Sequence, residues 1–218
     1  MAIIIDHNHP KYRQRWNRAG LNKYNGAFYY SKEIVKNIIP NVQTDRNWIT
    51  VNINGVGCDH SIVFIHNNLH PENYEWLRHY GYRDTVLVCG IPETVEKVQH
   101  IGHAIYLPLS VDVDYVKQFR TEKTKDTAFV GRPAKRRGIE LPEGIDILEG
   151  LPRPQLLAEM AKYETVYAVG RTAIEAKILK CKLKAYDPRF PKVSRWKPLD
   201  NSQAAVMLQE MLDEIDVR

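Results

Sequence analysis

The 218-residue chain has little cysteine, no long hydrophobic run and only a small excess of one charge. Its three cysteines, Cys58, Cys89 and Cys181, lie far apart and form no CxxC pair, which excludes a zinc ribbon and a dithiol redox centre. An odd, sparse set of thiols fits a reducing compartment, where cysteine behaves as a small apolar residue. Apolar runs such as residues 2–5 and 62–65 fall far short of the roughly 20 residues that a membrane-spanning helix needs. Residues 1–30 contain no apolar core followed by a small-residue cleavage site, so the expectation is a soluble cytoplasmic protein. What remains is an ordinary globular composition, 44% hydrophobic and 26% charged. The length allows one large domain or two of about 100 residues each.

The formal net charge is +5, from 31 basic and 26 acidic side chains, but its placement is uneven. Residues 10–24 carry five basic side chains and no acid, interleaved with Tyr12, Trp16 and Tyr24. A second cluster, Arg132, Lys135, Arg136 and Arg137, follows a strand-like FVG, whereas residues 200–216 are acidic. Basic side chains beside aromatic ones point to a phosphate-bearing partner, a nucleotide or a nucleic acid; the alternative is a solvated surface.

Short apolar runs alternate with helical spacing. The pattern predicts strands at residues 2–5, 48–53, 61–65, 85–89 and 104–107, with helices at 26–39, 71–79 and 92–99 between them. Regularity stops over 108–125, read as a linker. It resumes with strands at 127–130, 145–148, 165–169 and 182–186 and helices at 153–163 and 172–180. Continuous apolar strands alternating with helices imply parallel sheets covered on both faces. The expected organisation is therefore α/β, with two Rossmann-like open parallel sheets facing a cleft: residues 1–108, a linker at 109–125, and residues 126–218. Ligands on such sheets sit beyond the carboxyl ends of the strands.

The most specific segment is VGRTAIEAKILKCKLKAYD, residues 169–187. A strand ends in Gly170, Arg171 and Thr172, a helix begins, and Glu175 lies one turn inside it. Glycine permits close backbone approach, and a helix N-terminus offers free N–H groups to a phosphate. A carboxylate nearby can accept from ribose hydroxyls. The alternative is an ordinary turn whose Glu complements the helix dipole.

This segment resembles the donor-nucleotide motif of GT-B glycosyltransferases of the retaining type, written roughly GR(T/S)xxEAxxxxxPVxxYD. The resemblance implies that Glu175 contacts the ribose of a nucleotide-diphosphate sugar such as a UDP- or GDP-sugar, and that the loop of Gly170, Arg171 and Thr172 lies against the diphosphate. Eight positions earlier, where that family often has a second acid, stands Tyr167. TAFVGRPAK, residues 127–135, resembles the strand opening the donor domain; Gly131 ends it, and Arg132 and Lys135 match the positions that neutralise the pyrophosphate. LEGLP, with Gly150, resembles the stretch lining the base, and LPLSVDVDY, residues 107–115, the interdomain connection. The loop at 22–26, with Asn25 and Gly26, resembles the one closing over the diphosphate. In such enzymes, polar loops beyond the first sheet hold the acceptor, which assigns His7, His66 and Asn67 to the cleft, with His66 beside the reacting sugar.

Asp112-Val113-Asp114 matches the DxD of the GT-A fold, where two carboxylates hold a divalent ion, but GT-B chemistry requires no metal and none is assigned here. The implied activity is transfer of a sugar to a hydroxyl acceptor. The basic arm with Arg13 and Arg15 favours a modified base in DNA as that acceptor; a surface glycan or lipid-linked acceptor at an anionic membrane is the alternative. A non-catalytic nucleotide-sugar or nucleic-acid binding protein is the competing class, and a sugar-nucleotide 2-epimerase a third.

Overall fold

The computed structural model describes residues 3–4, 26–49, 60–65, 84–131 and 139–217. The protein is mixed α/β with two all-parallel sheets. It divides into two compact units. Among the described residues, one comprises 3–4, 27–49, 60–65, 84–109 and 201–217, the other 110–131 and 139–200.

The first unit contains β1 (Ile3–Ile4), α1 (Gly26–Glu33), β2 (Asn47–Ile49), β3 (Ser61–Ile65), β4 (Thr85–Cys89), α2 (Pro92–Val98) and β5 (His103–Tyr106). These strands pair in the order β1-β2-β3-β4-β5. β3 and β4 are apolar at nearly every position because both faces are covered, and every residue of each is buried. One face, Val63, Ile65, Leu87 and Cys89, packs on Val95 and Val98 of α2. By alternation Trp48, Ile62, Phe64, Val86 and Val88 form the other, each no more than 2% exposed. The rings of Trp48 and Phe64 stack at 6.2 Å on it. α1 does not run regularly to Pro40. It widens to a π turn over Ile34–Ile38 and tightens to a 3-10 turn over Ile39–Asn41, since proline has no N–H to return to the preceding turn.

The second unit holds α3 (Val113–Lys117), β6 (Lys125–Val130), β7 (Asp146–Leu148), α4 (Arg153–Met160), β8 (Tyr163–Tyr167), α5 (Arg171–Ile178) and β9 (Lys182–Lys184). The strand order is β7-β6-β8-β9. After β6 the chain moves to one side, and after β8 to the other. Right-handed crossovers then set α4 and α5 side by side on one face. Two basic residues tie their far ends together. Lys123 Nζ donates to Ala161 O at 2.7 Å and to Leu179 O at 2.8 Å, and Arg120 Nε donates to Ile178 O at 2.7 Å. Cations are favoured there because helix C-termini carry unsatisfied carbonyls and negative partial charge.

From Ser110 onward the segment read as a linker belongs to the second unit, and two of its cations, Arg120 and Lys123, cap helix ends. A further difference concerns the C-terminus. α6 (Asn201–Asp216) returns to the first unit, burying Ala204, Ala205, Leu208 and Leu212 at helical spacing. It lies along the π and 3-10 turns that follow α1. Gln209 exchanges two hydrogen bonds with the backbone of Gln43, and Asp216 pairs with Arg46. The second unit is thus inserted into the first, and its two ends are fastened to each other. Val111 N donates to Leu199 O at 3.0 Å and Val113 N to Asp200 Oδ2 at 3.1 Å.

Candidate functional site

Adjacent parallel strands whose connections leave in opposite directions open a crevice beyond their carboxyl ends. Among the described strands of the first sheet the order is sequential and shows no such reversal. In the second sheet the reversal falls between β6 and β8, where Phe129 pairs in register with Tyr167. Gly131 therefore leaves β6 next to the loop that carries Ala168, Val169 and Gly170 out of β8. The two segments singled out for the diphosphate thus emerge from neighbouring strands of one sheet.

Gly131 is packed closely. A Cβ there would lie 3.0 Å from two ring atoms of Phe129 and 3.7 Å from the Tyr186 hydroxyl. Phe129 and Tyr186 meet edge to face at 4.8 Å. The Tyr186 hydroxyl is buried and makes no hydrogen bond among the described residues. Burial, with Asp187 nearby, pushes its pKa up to about 12, so it stays a neutral donor.

Gly170 has φ 65° and ψ −140°, a conformation closed to residues with a Cβ, which lets β8 turn sharply into α5. Arg171 and Thr172 are the first two residues of that helix, and their N–H groups have no intrahelical acceptor. Gly150 (φ 69°) makes the corresponding turn before α4, which starts at Arg153 between two prolines. Neither helix has an acid in its first turn, and each begins with an arginine. A guanidinium at a helix N-terminus opposes the dipole, so the end of this sheet gathers positive charge from two sources.

Glu175 offsets part of it. Its carboxylate Oε1 lies 2.8 Å from a terminal nitrogen of Arg153 and 3.1 Å from Nε of Arg171. All three side chains are largely buried, 5%, 11% and 10% exposed. Arg153 also lies over the ring of Tyr115 of α3, 5.7 Å from its centroid. The resemblance gives Glu175 to a ribose. Here its carboxylate holds two guanidinium groups in place, and the trio retains one net positive charge. The sequence places Arg153 at a helix start and Tyr115 in the LPLSVDVDY stretch but marks neither as a site residue. The signal for Arg153 was its place just after the LEGLP stretch, at the first position of a helix.

Asp112 and Asp114 are engaged locally. Asp112 caps α3 by accepting from Tyr115 N at 2.9 Å, and Asp114 pairs with Lys117 at 2.9 Å. Among the described residues no group of three or more His, Cys, Asp or Glu is arranged to hold a metal. Burial pushes the Cys89 thiol up to about 12 and raises that of Cys181, so neither is a nucleophile at neutral pH. Gly26 begins α1. Arg132, Lys135, His66, Asn25, His7, Asn67, Arg13 and Arg15 lie outside the described residues. No described helix is long and apolar enough to cross a membrane.

No family model matches the chain, and no curated protein or solved structure is significantly similar to it.

Proposed function

We propose that the chain is a glycosyltransferase of GT-B type, which binds a nucleotide-diphosphate sugar at the carboxyl end of the second sheet and passes the sugar to a hydroxyl acceptor. The observation that carries this reading is the emergence of Gly131 and of the Gly170 loop from neighbouring strands at the β6/β8 reversal, with two helices that begin with Arg153 and Arg171 joined through Glu175. N–H groups at helix N-termini, two forked cations and a glycine floor are what a diphosphate requires. Arg132, the residue after Gly131, and Lys135, four positions after it, would add charge as the leaving group departs. Base and ribose would lie against the Gly150 turn. Glu175 acts in this scheme chiefly as the counter-ion that aims the arginines.

The acceptor is proposed to be a modified base in DNA, engaged through Arg13 and Arg15, with His7, His66 and Asn67 lining the acceptor side. The second reading, a nucleotide-sugar binding protein without turnover, is favoured by Tyr167, which occupies the β8 position of the expected second acid, and by the prior engagement of Glu175 with two arginines. Incubation with UDP- and GDP-sugars separates the two. Release of nucleoside diphosphate, lost in Arg171→Gln, supports the transferase. Binding without release in any donor or acceptor mixture supports the second reading.

A further inference from the structure

The second unit carries a charge concentration that the nucleotide site does not use. Residues 177–197 hold eight basic side chains and a single acid, Asp187, a larger excess than that of the whole chain. Lys180, Lys182, Lys184, Arg189, Lys192 and Lys197 are exposed. Asp187 is 7% exposed, and both its oxygens are occupied by Arg189, Oδ1 by Nε at 3.0 Å and Oδ2 by a terminal nitrogen at 2.7 Å. The segment therefore presents cations to solvent with no exposed acid among them.

The two arginines are also held in place. Phe190 and Trp196 pack edge to face at 5.5 Å. Arg195 lies over both rings, at 5.4 Å and 6.0 Å, and Arg189 lies over Phe190 at 5.6 Å. The rings are 9% and 4% exposed, so they fix guanidinium groups and offer no stacking platform to a base. Lys177 donates to Val193 O at 2.7 Å, which joins the end of α5 to this stretch. Burial, and then the nearness of Lys197, lowers the Lys177 pKa.

We propose that this face is a nucleic-acid binding surface that follows the phosphate backbone of duplex DNA. A polyanion relieves the crowding of cations, and bound counter-ions released from the duplex drive association. The exposed large hydrophobic residues among those described, Tyr106, Val206 and Val217, all lie outside the segment, so no apolar wedge accompanies the charge as a membrane surface would require. Contacts of this kind position the duplex without reading its sequence. The inference stands independently of sugar transfer.

The test uses the full chain, a fluorescently labelled duplex of about 20 base pairs and anisotropy over 50–200 mM salt. The expected result for the unaltered chain is a linear fall of log affinity with log salt. In Lys184→Gln/Lys192→Gln/Lys197→Gln the slope should shrink by about 2.7, at 0.9 per lost phosphate contact, and low-salt affinity should fall at least tenfold. These side chains are exposed, so an unchanged melting curve is expected, and an unchanged thermal shift with UDP or GDP separates this surface from the nucleotide site. Equal duplex affinity and slope in the triple variant overturn the proposal. So does binding to vesicles containing phosphatidylserine without binding to duplex, or loss of duplex binding confined to Arg13→Gln/Arg15→Gln.

Discussion

Glu175 is the residue whose removal is most informative. Glu175→Gln keeps the shape of the side chain and deletes its charge. In the native protein one carboxylate serves two guanidinium groups that are about nine-tenths buried. Removing one partner of a buried ion pair costs about 3–5 kcal/mol, because the remaining charge is left without compensation. The amide oxygen retains one hydrogen bond to an arginine, which places the expected loss near the lower end, about 3 kcal/mol. For a chain of this size that is a fall in melting temperature of roughly 6–12 °C. Urea unfolding followed by tryptophan fluorescence reads the change, since Trp196 lies in the same unit and Trp48 in the other. The variant leaves two cations at two helix N-termini, so sulfate or a nucleoside diphosphate should restore more stability to it than to the native chain. A loss below about 0.5 kcal/mol, the range of ordinary surface changes, would refute the counter-ion role.

Other outcomes follow from the same geometry. Arg46 is 4% exposed and pairs with Asp84 at 2.9 Å and Asp216 at 2.6 Å, fastening α6 to the first unit. Both carboxylates are about half exposed and regain water when the pair is broken, so Arg46→Met should cost about 2 kcal/mol in a urea titration rather than the full cost of a buried pair. Gly170→Ala forces a Cβ into φ 65°, ψ −140° and should cost about 1–3 kcal/mol by the same measurement. Donation by the His60 ring nitrogens to the carboxylates of Asp84 and then Asp45 raises the His60 pKa above its ordinary 6.5. A group whose folded pKa is raised contributes stability that is complete below the unfolded value and lost as pH rises through the folded one. The first unit should therefore lose this increment on going from pH 6 towards pH 9, and His60→Gln should flatten that part of the stability profile.

The parallel α/β architecture was legible because buried strands such as SIVFI and TVLVC have no polar alternation, and because proline and glycine mark the helix ends. The turn at Gly170 was legible for the same reason, since it follows an apolar strand and precedes a helix, whereas Gly150 stood out only through the resemblance of LEGLP and its turn was not read from the sequence. The insertion of one unit into the other was not. α6 has ordinary amphipathic spacing, and nothing local records that its apolar side belongs with residues more than 150 positions earlier. The stretch 108–125 looked like a linker because its lysines and arginines are polar by composition, yet Lys123 and Arg120 serve helix ends nearly 60 residues ahead. The partners of Glu175 were hidden likewise: Arg153 lies 22 positions earlier and meets it only because α4 and α5 run side by side.

Calorimetric titration of the full chain with UDP and GDP, repeated with Arg153→Gln and Arg171→Gln, tests the central claim most directly. Each variant leaves Glu175 one arginine and so preserves the fold. The expected result is saturable binding of at least one nucleoside diphosphate, weakened by about tenfold to a hundredfold in each variant, as loss of a charge-assisted contact worth about 1.5–3 kcal/mol requires. Absence of binding to any nucleoside diphosphate, or binding that ignores both substitutions, would contradict a diphosphate site at the β6/β8 reversal.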